Sequence, residues 1–327
     1  METALQIIGG LLLLAAGGEA VVRGAVGVAR KLGVSELMIG LTLVGFGTST
    51  PELLTSVNAA LAGSPGIAVG NVVGSNISNI LLIFAIVMLV KPVTVSPASI
   101  RRDGYVMLAV SAILIAIATL AGELSRIVGL AFVAGLVGYI VFTWMMERRH
   151  TTEANTSAEL HVAESVVRQP GQPSLPVSLL FALGGLALLI FGADLLVKGA
   201  ITLAALAGLS QTVIGLTIVA VGTSLPELVA SLAAALKGRS DVAVGNIVGS
   251  NIYNILGILG LTAAIQPIAI PDDMIWRDWL TMGASALILV FVAQAFGRFG
   301  RLLGLGFLGA YALYSYLLVN PQALPGA

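Results

Sequence analysis

Two copies of one run, Gly47-Thr48-Ser49-Thr50-Pro51-Glu52 and Gly222-Thr223-Ser224-Leu225-Pro226-Glu227, sit inside otherwise apolar stretches of the chain. Proline has no N–H to give, and its ring crowds the carbonyl four residues back. Pro51 therefore loosens the carbonyls near Gly47 and Thr48, and Pro226 those near Gly222 and Thr223. A freed carbonyl in hydrocarbon must face protein, water or an ion, so paired breaks at matching positions suggest a cation-coordinating site. Glu52 and Glu227 directly follow the two prolines. An unpaired charge at the bilayer midplane costs ~2.5–3.5 kcal/mol on insertion scales, and an intramembrane carboxylate is functional by default. The plainer reading is a protonated or hydrogen-bonded glutamate that only fixes helix packing. It does not account for two such residues at equivalent positions with no basic residue in the centre of either stretch.

A second pair of runs follows, Gly70-Asn71-Val72-Val73-Gly74-Ser75-Asn76-Ile77-Ser78-Asn79 and Gly245-Asn246-Ile247-Val248-Gly249-Ser250-Asn251-Ile252-Tyr253-Asn254. Asn71, Ser75 and Asn79 recur every fourth residue, as do Asn246, Ser250 and Asn254, so each set makes one polar stripe on a helix. Ser75, Asn79, Ser250 and Asn254 are expected to face the site. For Asn71, Asn76, Asn246 and Asn251 two readings stay open, the site itself or hydrogen bonds between helices that glycines let approach closely. Carboxylates, hydroxyls, amides and carbonyls are all oxygen donors, the set preferred by a hard cation such as Ca2+. Two glutamates neutralise one Ca2+, and the same cage could hold several Na+ instead. Mutual exclusion of the two loads would give coupled exchange.

The surrounding composition is that of a membrane protein. Of 327 residues 57% are hydrophobic and 10% charged, and the mean hydropathy is +1.02. A soluble domain carries roughly 25% charged residues. Zero net charge and zero cysteines leave no basic face for a nucleic acid and no thiol nucleophile, disulfide or zinc-thiolate site. The Gly-Lys-Ser/Thr ending of a phosphate-binding loop is absent, and so is any cluster of metal-binding histidines or cofactor motif, which argues against an ATP-driven pump or an enzyme.

Apolar stretches at about 4–29, 35–61, 67–90, 104–122, 125–146, 175–204, 210–236, 242–268, 275–296 and 300–319 predict an all-α polytopic protein with ten transmembrane helices. The acidic start Met1-Glu2-Thr3 makes the first stretch a retained helix rather than a signal peptide. An offset of 175 residues aligns Ser35–Ile80 with Ser210–Ile255 at 28 identities in 46 positions without a gap, an internal duplication. The expected organisation is a five-helix repeat over 1–146, a solvated linker over 147–173 and a second five-helix repeat over 174–327. Thirteen of the sixteen Lys and Arg residues then fall at one face, leaving Arg126, Lys198 and Arg277 at the other. That face is expected to be cytoplasmic, with both termini extracellular in a cell membrane. An odd number of spans per repeat turns the second repeat upside down relative to the first, the inverted plan of secondary transporters.

On its doubled motifs and over nearly its whole length, the sequence resembles the sodium/calcium exchanger family of cation/calcium antiporters, in particular its prokaryotic members. That resemblance implies a secondary-active antiporter working by alternating access, exporting Ca2+ in exchange for Na+, without a cofactor or an obligate protein partner. The long first and sixth helices would slide on a core made by the motif-bearing helices. It implies that Glu52, Glu227 and the carbonyls of Thr48 and Thr223 bind Ca2+. Na+ would use the same glutamates with Thr48, Ser49, Ser75, Thr223, Ser224, Ser250 and the carbonyls of Gly45 and Ala220. Asn79 and Asn254 would line the middle of the site. The alternative is exchange of H+ for Ca2+ or another divalent cation. Cation/proton exchangers of the superfamily typically carry a glutamate where Gly74 and Gly249 stand here, which weighs against it.

Overall fold

The computed structural model describes residues 2–32, 39–61, 63, 65–158, 174–206, 220–270 and 276–319. In chain order these form α1 (Glu2–Leu32), a π-helical segment Gly40–Val44, α2 (Gly45–Thr48), α3 (Thr50–Leu61) and α4 (Pro65–Ser78). A second π-helical segment, Asn79–Phe84, leads to α5 (Ala85–Val90), β1 (Val93–Thr94), α6 (Pro97–Ala121), β2 (Glu123–Leu124) and α7 (Arg126–Ala158). Then come α8 (Leu175–Leu206), α9 (Ala220–Thr223), α10 (Leu225–Leu236) and α11 (Ser240–Tyr253). A π-helical segment Asn254–Leu259, α12 (Gly260–Ile265), β3 (Ile268–Ala269), α13 (Trp276–Phe296), β4 (Arg298–Phe299) and α14 (Arg301–Val319) complete the order.

Among the described residues eight helices are long and apolar enough to cross a membrane, and they coincide with eight of the ten expected stretches. The other two, 35–61 and 210–236, are the ones that carry the prolines, and both are interrupted where they are described. Ser49, at φ −83° and ψ 10°, separates α2 from α3, and Ser224, at φ −90° and ψ 7°, separates α9 from α10. Residues 33–38 and 207–219, where these stretches begin, lie outside the described residues. One helix runs on beyond its apolar stretch. Helix α7 continues to Ala158, twelve residues into the polar stretch read as linker, because no proline or glycine stands between Glu147 and Ala158 to end it.

Polarity is distributed as a membrane demands. Leu120, Ile127, Leu180, Phe291 and Leu302 are exposed on the outside, whereas Glu52, Glu227 and most of the motif serines and asparagines are buried. Lipid rewards that inversion, since it solvates apolar side chains and leaves polar groups to find partners inside.

Helices α1 and α8 lie against each other so closely that glycine is required. A Cβ added at Gly24 would sit 2.2 Å from the Ala182 nitrogen, and one at Gly185 would sit 2.6 Å from the Val21 nitrogen. The short strands cross-link the chain at two places. β1 pairs antiparallel with β4 through Val93–Phe299 and Thr94–Arg298, and β2 with β3 through Glu123–Ala269 and Leu124–Ile268. The 175-residue offset maps β1 onto β3 and β2 onto β4, so each strand pairs with the counterpart of the other.

A buried acid staples each outer helix pair. Tyr139 on α7 donates a 3.0 Å hydrogen bond to Asp103 on α6, which Arg102 also contacts at 2.6 Å. Tyr314 on α14 donates to Asp278 on α13 at 3.1 Å, beside Arg277 at 3.3 Å. The sequence reading passed over both staples, although the same offset of 175 relates them residue by residue.

Candidate ion-binding site

The interruption at Ser49 points its hydroxyl away from its own glutamate and toward the other one. Ser49 Oγ donates to Glu227 Oε1 at 2.8 Å, and Ser224 Oγ donates to Glu52 Oε1 at 3.0 Å. Each repeat thereby completes the other's carboxylate, and the two glutamates, each 1% exposed, are held in one shared interior. Hydrogen bonds to a charged group contribute ~1.5–3 kcal/mol apiece.

The backbone behind each glutamate is also held. Asn71 Nδ2 donates to the Glu52 carbonyl at 3.1 Å and to Ser56 Oγ at 2.9 Å. Asn246 Nδ2 repeats this on the Glu227 carbonyl at 3.2 Å and Ser231 Oγ at 2.8 Å. Of the two readings left open for these asparagines, the structure places Asn71 and Asn246 as anchors between the motif helices. Ser56 and Ser231, which the sequence reading did not single out, could have been found as the polar residues one helical turn beyond each glutamate.

Further bonds tie the two repeats together. Thr48 Oγ1 reaches Asn246 Oδ1 at 3.3 Å, Ser250 Oγ donates to the Gly45 carbonyl at 3.2 Å, and Asn254 Nδ2 donates to Asn76 Oδ1 at 2.9 Å. The Gly45 carbonyl also accepts from the Ser49 N–H and Thr48 Oγ1, each at 3.3 Å. Asn76 Nδ2 reaches the Asn251 carbonyl at 3.4 Å. Asn79 and Asn254 open the two equivalent π-helical segments, a local form that recurs at functional sites. Thr48, Ser49, Ser75, Asn79, Ser224, Ser250 and Asn254 are all buried, and Thr223 is half-buried at the end of α9, which Ala220 begins.

Four oxygens in this interior have no hydrogen-bond partner among the described residues: Glu52 Oε2, Glu227 Oε2, Asn79 Oδ1 and Asn254 Oδ1. Buried acceptors without donors are unfavourable, and a hard cation is a partner that all four oxygens suit. No cluster of three or more His, Cys, Asp or Glu residues occurs among the described residues, so the two carboxylates would be supplemented by neutral oxygens. Gly249 packs against the backbone of the first repeat, where an added Cβ would lie 2.4 Å from the Leu41 carbonyl oxygen. A glutamate at that position would force the helices apart.

Carboxylates and neutral oxygens buried among membrane-length helices define a multi-pass membrane protein with an interior polar site. Residues 3–145 and 177–320 match the family described as sodium/calcium exchanger protein, and the chain belongs to that family. It is 40% identical over 318 residues to the putative antiporter CaxA of Alkalimonas amylolytica, covering 96% of this chain and 98% of that one. A shorter region of 104 residues, 32% of this chain and 30% of the relative, is 47% identical to the sodium/calcium exchanger MaX1 of Methanosarcina acetivorans. Among solved structures, the sodium-calcium exchanger NCX_Mj soaked with zero Na+ and Ca2+ superposes with a TM-score of 0.79 at 30% identity, covering 98% of each chain.

Proposed function

We propose that the chain is a secondary-active antiporter that exports Ca2+ in exchange for Na+ at a single site near the membrane midplane. Glu52 and Glu227 carry the charge that balances Ca2+. Thr48, Thr223, Ser49, Ser224, Ser75, Ser250, Asn79, Asn254 and the Gly45 and Ala220 carbonyls supply neutral oxygens to Ca2+ or Na+. The observation that carries this reading is the reciprocal Ser49–Glu227 and Ser224–Glu52 pairing, which leaves the second oxygen of each carboxylate unpartnered among the described residues. In this reading two repeats, 1–146 and 174–327, run in opposite senses, joined by the cytoplasmic segment 147–173 with both termini extracellular. The crossed strand pairing supports the inversion. β1 and β2 flank α6 at its two ends, so joining β1 to β4 and β2 to β3 sets equivalent loops of the two repeats at opposite ends of the molecule.

Alternating access follows from the same layout. α1 and α8 pack as one glycine-seamed pair beside the motif helices, and their movement as a unit would expose the carboxylates to one side and then the other. The test is uptake of radiolabelled Ca2+ into proteoliposomes preloaded with Na+, with an outward Na+ gradient, an outward proton gradient or none. Uptake that needs the Na+ gradient and disappears in Glu52→Gln supports the assignment. Uptake driven by protons alone overturns the Na+ coupling, and normal uptake in Glu52→Gln overturns the site.

A further inference from the structure

An asparagine side chain can turn its oxygen or its amino group to the same place, and the two orientations have nearly the same shape. Only the oxygen coordinates a cation, because the amino group is a donor. What Asn254 can do for an ion therefore depends on what holds its amide the right way round. Asn254 is buried, its Nδ2 donates to Asn76 Oδ1 at 2.9 Å, and its Oδ1 has no hydrogen-bond partner among the described residues.

The orientation of Asn76 is set in turn by groups that cannot reverse. Asn76 Nδ2 reaches the backbone carbonyl of Asn251 at 3.4 Å and the Met282 sulfur at 3.9 Å. A carbonyl and a thioether can only accept. Turning Asn76 round would set its oxygen against those two acceptors and its amino group against the amino group of Asn254. Asn76 and Met282 are both buried, so water has little access to relieve either clash. The relay thus has one polarity. The Asn251 carbonyl takes the amino group of Asn76, the oxygen of Asn76 takes the amino group of Asn254, and the oxygen of Asn254 is left over.

The duplication supplies the residues for a second relay, from the Asn76 carbonyl through Asn251 to Asn79, because the 175-residue offset carries Asn251 to Asn76 and Asn254 to Asn79. That relay is not made. Both polar atoms of the Asn251 side chain lack a partner among the described residues, so this path does not orient Asn79.

We propose that Asn76 is a positioning residue of the ion site, holding the Asn254 amide so that its oxygen faces a bound cation. This rests on the ion-site reading above and adds to it a residue that acts through another. Loss of one hydrogen bond between neutral groups changes an equilibrium by about fivefold. Asn76→Leu removes the acceptor at similar volume and frees the Asn254 amide to turn. A carboxylate at position 254 presents an oxygen whichever way it turns, so Asn254→Asp makes the positioning unnecessary.

The test follows the thermal unfolding midpoint of the purified full-length protein as CaCl2 or NaCl is added, and reads the concentration that gives half the maximal rise. Asn76→Leu is expected to raise that concentration about fivefold for at least one of the two ions. Made in the Asn254→Asp background, the same change is expected to alter it less than about twofold, a rescue that a merely structural defect would not show. An unchanged value for both ions in Asn76→Leu, or a full fivefold loss persisting in the Asn254→Asp background, would overturn the proposal. Should Asn76→Leu fail to fold, Asn76→Ser, too short to make both bonds, takes its place with the same two outcomes. Glu52→Gln keeps the two readings apart. Ion binding lost there but unchanged in Asn76→Leu overturns this inference alone, whereas ion binding unchanged in Glu52→Gln overturns the site on which it rests.

Discussion

Around Glu52 and Glu227 the interactions come in pairs. Asn71 holds the Glu52 carbonyl as Asn246 holds that of Glu227, and Ser224 and Ser49 each reach across to the other repeat's carboxylate. At the end where Glu19 meets Lys237 the pairing stops, since the matching position holds Ala62. Under alternating access the difference has a physical reason. An ion approached first from one side and then from the other must find equivalent ligands each time, whereas each end of the molecule faces one solution and one leaflet. Within the centre the two repeats also differ at one pair of asparagines. Asn76 bonds Asn254 and the Asn251 carbonyl, while both side-chain polar atoms of Asn251 lack a partner among the described residues.

The sharpest way to break this comparison is at the acids. Glu52→Gln and Glu227→Gln are each expected to reduce Na+-driven Ca2+ uptake to background while the protein stays folded, since in the proposed site each removes one of the two charges that would balance Ca2+. Survival of uptake in only one of them would end the equivalence of the repeats. Ser49→Ala and Ser224→Ala come next. Each removes a bond to a buried carboxylate, a loss of ~1.5–3 kcal/mol that weakens half-saturation by Ca2+ roughly tenfold or more. Equal shifts in the two variants sharpen the symmetry, and a tenfold disparity between them breaks it.

Packing separates seam from surface. Gly24→Ala forces a methyl against the α8 backbone and is expected to destabilise by ~1–3 kcal/mol. Gly184→Ala, whose methyl meets nothing within 4 Å among the described residues, is expected to leave the unfolding midpoint unchanged. The smallest effect belongs to the unpaired end. Glu19→Gln is expected to change stability by at most ~1 kcal/mol because the pair is about half exposed. The change should fade as salt is raised toward 1 M.

The duplication, the two proline breaks and the two glutamates were legible in the sequence because each is a local pattern written twice. The direction of the serines was not. Nothing in the spacing of Ser49 and Glu52 says that the hydroxyl turns to a carboxylate 178 residues away, since that depends on how the two broken helices cross. Asp103 and Asp278 escaped notice for a related reason. Each stands beside an arginine, which reads as an ordinary charged helix entrance, and only the fold brings Tyr139 and Tyr314 to them. That α7 runs on past its apolar span, which ends at Met146 as expected, was not legible, because polar composition marks where the bilayer stops, not where a helix does.

The crossed strands also constrain the order of events in synthesis. β1 leaves the ribosome long before β4, with the partners of Val93 and Thr94 at Phe299 and Arg298, and β2 likewise waits for β3. Pairings this distant in sequence form late, because the entropy of closing the loop opposes them until the intervening chain is ordered. The first half must therefore wait in the membrane with both its loops unpaired and its serine and glutamate lacking their mates. A chain halted before Ile268 is expected to insert yet remain open to protease at residues 91–96 and 122–125. The completed chain should be protected there, a contrast that limited digestion of the two would reveal.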